Sequence, residues 1–124
     1  MQTISTLRAA QAIGPYSQGK IVGDLIFTSG QIALLPNGEF IDGDIVAQTR
    51  QVLENLEAIL KEADSSLECV IKTTVFLSDM SDFNAMNEIY AQYFGKHKPA
   101  RSTIAVKTLP KNAKVEIECV AIRG

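Results

Sequence analysis

The last quarter of this 124-residue chain runs from Pro99-Ala100-Arg101-Ser102-Thr103-Ile104 through Leu109-Pro110 to Val115-Glu116-Ile117-Glu118. It sets one arginine and two carboxylates into strand-like segments that are otherwise apolar. Burying such charges costs on the order of several kcal/mol each unless they are paired, so these side chains stand at an edge or at a site. Alternation puts Arg101 and Thr103 on one face of their strand, and Glu116 and Glu118 on one face of theirs. A guanidinium holds a carboxylate through two parallel hydrogen bonds, and a glutamate nearby can hold and polarise a water. Together they describe a pocket for a small carboxylate whose neighbouring carbon is attacked by that water. The same residue types also suit edge charges or inter-subunit ion pairs. If a turn joined Thr108 directly to Lys114, Arg101 would fall opposite Ala121 rather than Glu116. The two meet only through a bulge, a bend or a second subunit.

Other polar residues stand at positions that could wall such a pocket. Gly14-Pro15-Tyr16 reads as a rigid turn presenting a phenol at a loop tip, although a turn tyrosine also serves as packing. Thr28-Ser29-Gly30-Gln31 ends a strand with a glycine, which lets another group approach the backbone closely. Asn87 lies beside an apolar helical stripe, where solvent exposure is the plain alternative. Cys69 and Cys119 form no CxxC pair and have no histidine beside them, so they read as buried reduced thiols rather than metal ligands. The single histidine, His97, sits between two lysines before Pro99 and reads as a solvated loop residue. That leaves no Ser-His-Asp triad and no zinc site.

The elements that must position these residues follow from periodicity. Gln2 to Leu7 reads as a strand. Gly19 to Val22 and Leu25 to Ser29 flank Gly23-Asp24 as a hairpin, and Leu35-Pro36-Asn37-Gly38 is a turn. From Asp44 to Ala63, Val46, Thr49, Leu53, Leu56, Leu60 and Ala63 recur at spacings of three and four, the stripe of an amphipathic helix. The β-branched run Val70 to Leu77 is a strand. Ser81 or Asp82 caps a second helix with Phe83, Met86, Tyr90, Tyr93 and Phe94 on one stripe, ending at Gly95. Two last strands, near Arg101 to Thr108 and Val115 to Ile122, are joined by a Pro-Lys-Asn turn region. The expectation is a single α+β domain over residues 1–124, ordered β-β-α-β-α-β-β, with one mixed sheet and both helices on one face. Ile104, Val106, Val120 and Ile122 then leave an apolar face that a closed oligomer buries.

Composition excludes several function classes. The net charge is -2 and the 12 basic residues are scattered, with no basic stripe for nucleic acid. No apolar run approaches the roughly 20 residues of a membrane span, and the N-terminus lacks a basic flank before an apolar core, so a cytoplasmic protein is expected.

The chain resembles the RidA/YjgF family of small imine deaminases. The likeness rests on the Pro-Ala-Arg-Ser, Leu-Pro and Val-Glu-Ile-Glu segments together with Ile13-Gly14-Pro15-Tyr16-Ser17-Gln18-Gly19, Phe27-Thr28-Ser29-Gly30-Gln31, Thr49-Arg50-Gln51 with Asn55-Leu56, Lys72-Thr73-Thr74-Val75, and Asp82-Phe83 with Asn87. The resemblance implies a chorismate-mutase-like fold and a homotrimer whose sheets form a central barrel, with sites in the clefts between subunits. It also implies hydrolysis of 2-aminoacrylate, 2-iminobutanoate and 2-iminopropanoate to 2-keto acids and ammonia, with no cofactor and no metal. By the same resemblance Arg101 clamps the substrate carboxylate and Glu116 positions the hydrolytic water. Tyr16, Ser29, Gly30 and Asn87 wall the cleft, and Thr103 replaces a cysteine frequent among members. Two alternatives remain open: a non-catalytic module that binds small carboxylates or another protein, and the nucleic-acid-directed activity of some relatives, against which the acidic balance argues.

Overall fold

A computed structural model describes all residues, 1–124. Three strands, β1 (Gln2–Ile4), β2 (Gly19–Val22) and β3 (Leu25–Thr28), precede helix α1 (Ile45–Glu62). Strand β4 (Val70–Leu77), helix α2 (Phe83–Phe94), strand β5 (Ala100–Ala105) and strand β6 (Val115–Ile122) follow. The α+β class, the single mixed sheet and the two helices are as expected. The count of leading strands differs from the β-β-α scheme, because Gln2–Ile4 is a true edge strand paired antiparallel with β2.

Helix α1 forms where its stripe predicts. Asp44 caps it, its carboxylate accepting the Ala47 N–H at 2.9 Å. At the other end Asp64 takes a left-handed φ of 58°, and the Ser65 N–H reaches back to the Leu60 carbonyl at 2.9 Å, closing the last turn. Val52, Leu53, Leu56, Ile59 and Leu60 are fully buried against the sheet. Asp82 stands at the N-cap position of α2, as expected, but its side chain makes no capping hydrogen bond; Asp79 instead caps the short 3-10 turn that leads into the helix, accepting the Ser81 N–H.

The sheet order is β1-β2-β3-β6-β4-β5. β5 therefore does not pair with β6. The crossover through α2 lays β5 parallel to β4, with Arg101 beside Thr73, while β6 inserts antiparallel between β3 and β4. The link from β5 to β6 spans β4 and is no hairpin, and its turn sets Lys111 and Asn112 at φ of 56° and 54°.

Cross-strand partners share a face. On the helix side lie Val115, Ile117, Cys119 and Ala121 of β6 with Thr73, Val75 and Leu77 of β4, all buried. On the other side the register aligns Val22, Leu25 and Ile122, then Phe27 and Val120, then Phe76 and Ile104. Phe27 is 45% exposed, Ile104 47% and Ile122 44%, a broad apolar surface in the single chain.

Candidate active site

Arg101 begins β5 on the helix side of the sheet edge, under α2. Phe83, Asn87 and Tyr90 are spaced four and three residues apart on α2, which stacks them on one helical face. The Arg101 guanidinium carbon lies 4.7 Å from the Tyr90 ring centroid and 5.5 Å from that of Phe83. Its Nη1 donates to Asn87 Oδ1 at 2.6 Å. The Tyr90 hydroxyl shares a buried 2.7 Å hydrogen bond with the Thr73 hydroxyl, and Thr73 is the β4 residue paired with Arg101. No carboxylate neutralises this guanidinium, since the one ion pair of the chain is Arg123 with Asp64. A half-buried arginine held by aromatic faces and an amide, with donors to spare, is a receptor for an anion. It opens on a cavity of about 370 Å³ lined also by Lys98 and Pro99.

A second cavity, of about 530 Å³, gathers Tyr16, Ser29, Gly30, Gln31, Lys111 and Glu116. Its floor is a β-bulge. Phe27 pairs with Val120 and Gln31 with Ile117, so a step of four residues on one side faces a step of three on the other. The extra residue leaves Ser29 and Gly30 without partners on β6, while the Ser29 N–H still donates to the Gln18 carbonyl at 2.9 Å. A Cβ built on Gly30 would collide with the Glu116 carboxylate, so glycine there gives the carboxylate its place. The group that approaches the Gly30 backbone is thus a side chain of the chain itself. Burial raises the Glu116 pKa above the usual carboxylate range, and the neighbouring Glu118 charge raises it further. The shift favours the protonated form, the direction required of a carboxyl that takes up and returns a proton.

The walls of this cavity are fixed by buried amides. Gln18 accepts the Thr6 N–H at 2.7 Å and donates to the carbonyls of Thr6 and Ala10, fastening the N-terminal loop. Asn55 of α1 donates to the Leu34 carbonyl at 2.8 Å. The Ser29 hydroxyl donates to the Ser17 carbonyl at 2.5 Å, so its proton is committed to holding the loop. Tyr16, 54% exposed, follows Gly14 at φ 118°, and its hydroxyl accepts the Ile13 N–H at 3.4 Å. Its own proton is free for a ligand.

The candidate residues thus fall into two groups: Arg101 with Asn87, and Glu116 with Tyr16, Ser29 and Gly30. Thr103 lies on the Arg101 face but lines neither cavity, and its hydroxyl oxygen is buried without a partner. His97 is exposed, its ring bonded to the Val70 carbonyl, and stands outside both cavities. Cys119 is buried and its pKa is pushed up to about 12, mainly by burial, whereas Cys69 is only half-buried. No three His, Cys, Asp or Glu side chains converge as a metal-binding group. A depression of about 650 Å³ beside α1 is lined by four carboxylates, Glu54, Glu57, Glu62 and Asp64, against two cations, Arg8 and Lys61, an acidic balance that suits an anion less well than the Arg101 cavity. No helix is long and apolar enough to cross a membrane.

The aromatic cradle of Arg101 and the buried Gln18 and Asn55 were not singled out from the sequence. The spacing of Phe83, Asn87 and Tyr90 was the available signal.

Comparison with known proteins covers both cavities at once. A relative from Lactococcus lactis that carries the name of a regulator, AldR, is 53% identical over 122 residues, 98% of this chain and 97% of its own length. The human protein named 2-iminobutanoate/2-iminopropanoate deaminase is 47% identical over 124 residues, 99% of this chain and 90% of its own. The crystal structure of E. coli TdcF with bound serine superposes with a TM-score of 0.94 at 45% identity, over the whole of both chains. The family model described as Endoribonuclease L-PSP matches residues 6–123, from the loop that Gln18 fastens to the end of the sheet, and on that match the chain belongs to the RidA/YjgF family.

Proposed function

We propose that this protein is an imine deaminase of 2-imino acids and their 2-aminoacrylate-type enamine tautomers, 2-iminobutanoate and 2-iminopropanoate among them. Arg101 holds the substrate carboxylate. Water held by Glu116 adds to the C=N carbon, and the resulting carbinolamine expels its nitrogen, so that imine plus water yields a 2-keto acid and ammonia. As carboxylate, Glu116 takes the water's proton; as carboxylic acid, it returns a proton to the departing nitrogen. The imine carbon is already electrophilic, so orientation and charge placement suffice without a covalent nucleophile. The observation that carries this reading is an unneutralised, cradled guanidinium that opens on a cavity, with a glutamate of raised pKa in a second cavity of the same chain. Serine bound to TdcF supports a small amino-acid-like carboxylate as ligand.

The catalytic unit in this reading is a homotrimer, in the cytoplasm, with its barrel built from the apolar sheet faces. Arg101 and Glu116 lie on opposite faces of one sheet, so each site joins the Arg101 cavity of one copy to the Glu116 cavity of the next. A carboxylate-binding regulator is the second reading, favoured by the name of AldR and by an anchor that needs no chemistry to bind a 2-keto acid.

The deciding experiment generates 2-iminobutanoate in situ with threonine dehydratase and follows its loss with wild type, Arg101→Ala and Glu116→Gln. Accelerated loss that disappears in both variants supports the enzyme. Retained 2-ketobutyrate binding without acceleration, in a folded oligomer, turns the conclusion to the regulator.

A further inference from the structure

We propose that Tyr90, with Phe83, is a positioning residue that sets the orientation of the Arg101 guanidinium and so its selectivity for a carboxylate. This rests on the reading of Arg101 as the carboxylate anchor.

A free arginine side chain loses rotamer freedom when it is held still, and a site that must do this for each ligand binds it weakly. Here the ordering is supplied before any ligand arrives. The guanidinium carbon lies 4.7 Å from the Tyr90 ring centroid and 5.5 Å from that of Phe83, and Asn87 takes up Nη1. Tyr90 is itself immobile: it is 7% exposed, its hydroxyl is bonded to Thr73 at 2.7 Å, and its ring packs 4.7 Å from that of Phe94. Stacking on a ring face constrains the guanidinium plane and leaves its edge donors free, and those donors make the two parallel bonds a carboxylate accepts. The Tyr90 hydroxyl is taken up by Thr73, so the residue acts through the ring face it presents to Arg101.

The test compares Tyr90→Phe, Tyr90→Leu, Phe83→Leu and Arg101→Ala by calorimetric binding of 2-ketobutyrate and of its methyl ester, alongside KM and kcat for 2-iminobutanoate. Tyr90→Phe keeps the ring and keeps wild-type preference for the acid over the ester. Tyr90→Leu and Phe83→Leu weaken acid binding about 10-fold, raise KM in step, leave ester binding unchanged and hold kcat within about twofold. Folded leucine variants that retain the preference overturn the proposal, as does a loss in Tyr90→Phe equal to that in Tyr90→Leu. An Arg101→Ala protein that still prefers the acid overturns the anchor itself, an outcome separate from the first two. Should both leucine variants fail to fold, side-chain nitrogen NMR of the wild type decides. Slow rotation and resolved Nη protons at Arg101 support a held guanidinium, and one averaged signal overturns it.

Discussion

Arg101 and Glu116 point to opposite faces of one sheet. Arg101 aligns through Thr73 with Cys119, and Glu116 lies three residues from Cys119 along β6, an odd step that reverses the face. Strand β4 separates the two in the plane of the sheet as well. Complementation between inactive variants checks the consequence. Arg101→Ala and Glu116→Gln, each inactive alone, are mixed after reversible dissociation. In randomly reassembled cyclic oligomers about a quarter of the sites carry both native residues, and activity returns toward that fraction. Continued inactivity of reassembled mixtures would place both residues of a working site on one chain.

Glu116→Gln separates activity from stability. Loss of the acid-base group lowers deamination by about 10²-fold or more. The sign on stability is opposite. The folded-state pKa of Glu116 lies above its unfolded value, so the folded protein binds the extra proton and loses stability as pH rises through the folded pKa. The variant does not have this loss, so it melts above wild type at neutral pH. The two curves converge in acid, below the ordinary carboxylate range. Thermal melts across pH, with dissociation monitored separately, give the comparison.

Gly30→Ala puts a methyl group where the Glu116 carboxylate lies. The carboxylate must move, at a cost of about 1–3 kcal/mol in folding and a drop of at least about 10-fold in kcat. The KM for 2-iminobutanoate changes little, because the Arg101 anchor is untouched. A variant with native kcat would dissociate the bulge from the chemistry.

The thiols report burial. Native protein treated with iodoacetamide at neutral pH carries the label on Cys69 and not on Cys119, whose pKa of about 12 and burial deny it both thiolate and access. Denatured protein carries the label on both. Peptide mass spectrometry reads the distribution, and early labelling of Cys119 would reveal local opening of β6 from β3.

Local periodicity made much of the scaffold legible. The stripe from Val46 to Ala63 located α1 to within a residue at each end, and the β-branched run Val70 to Leu77 coincides with β4. Pairing was not legible, because alternation tells which residues of one strand share a face but not which strands adjoin. The insertion of β6 between β3 and β4 is a non-local choice, made by the long connection after β5. The same limit applies at the candidate site. Glu116 and Gly30 are distant in sequence, and only the bulge opposite Ile117 brings them together. Asn87 read as a polar residue beside a core stripe, whereas Phe83 and Tyr90 read as the stripe. Their common face becomes a cradle because Arg101 meets it from the sheet.

The two cavities draw on different stretches of chain. The Arg101 cavity is contained in residues 83 to 101, one helix and the strand it delivers, while the wall around Glu116 is assembled from residues 10 to 34 and the turn before β6. The two linings share no residue. In the proposed reading, descendants of one ancestral gene can therefore diversify in the side chain they accept while inheriting an unchanged grip on the acid group, and grafting the second stretch between relatives would transplant substrate preference without rebuilding the anchor.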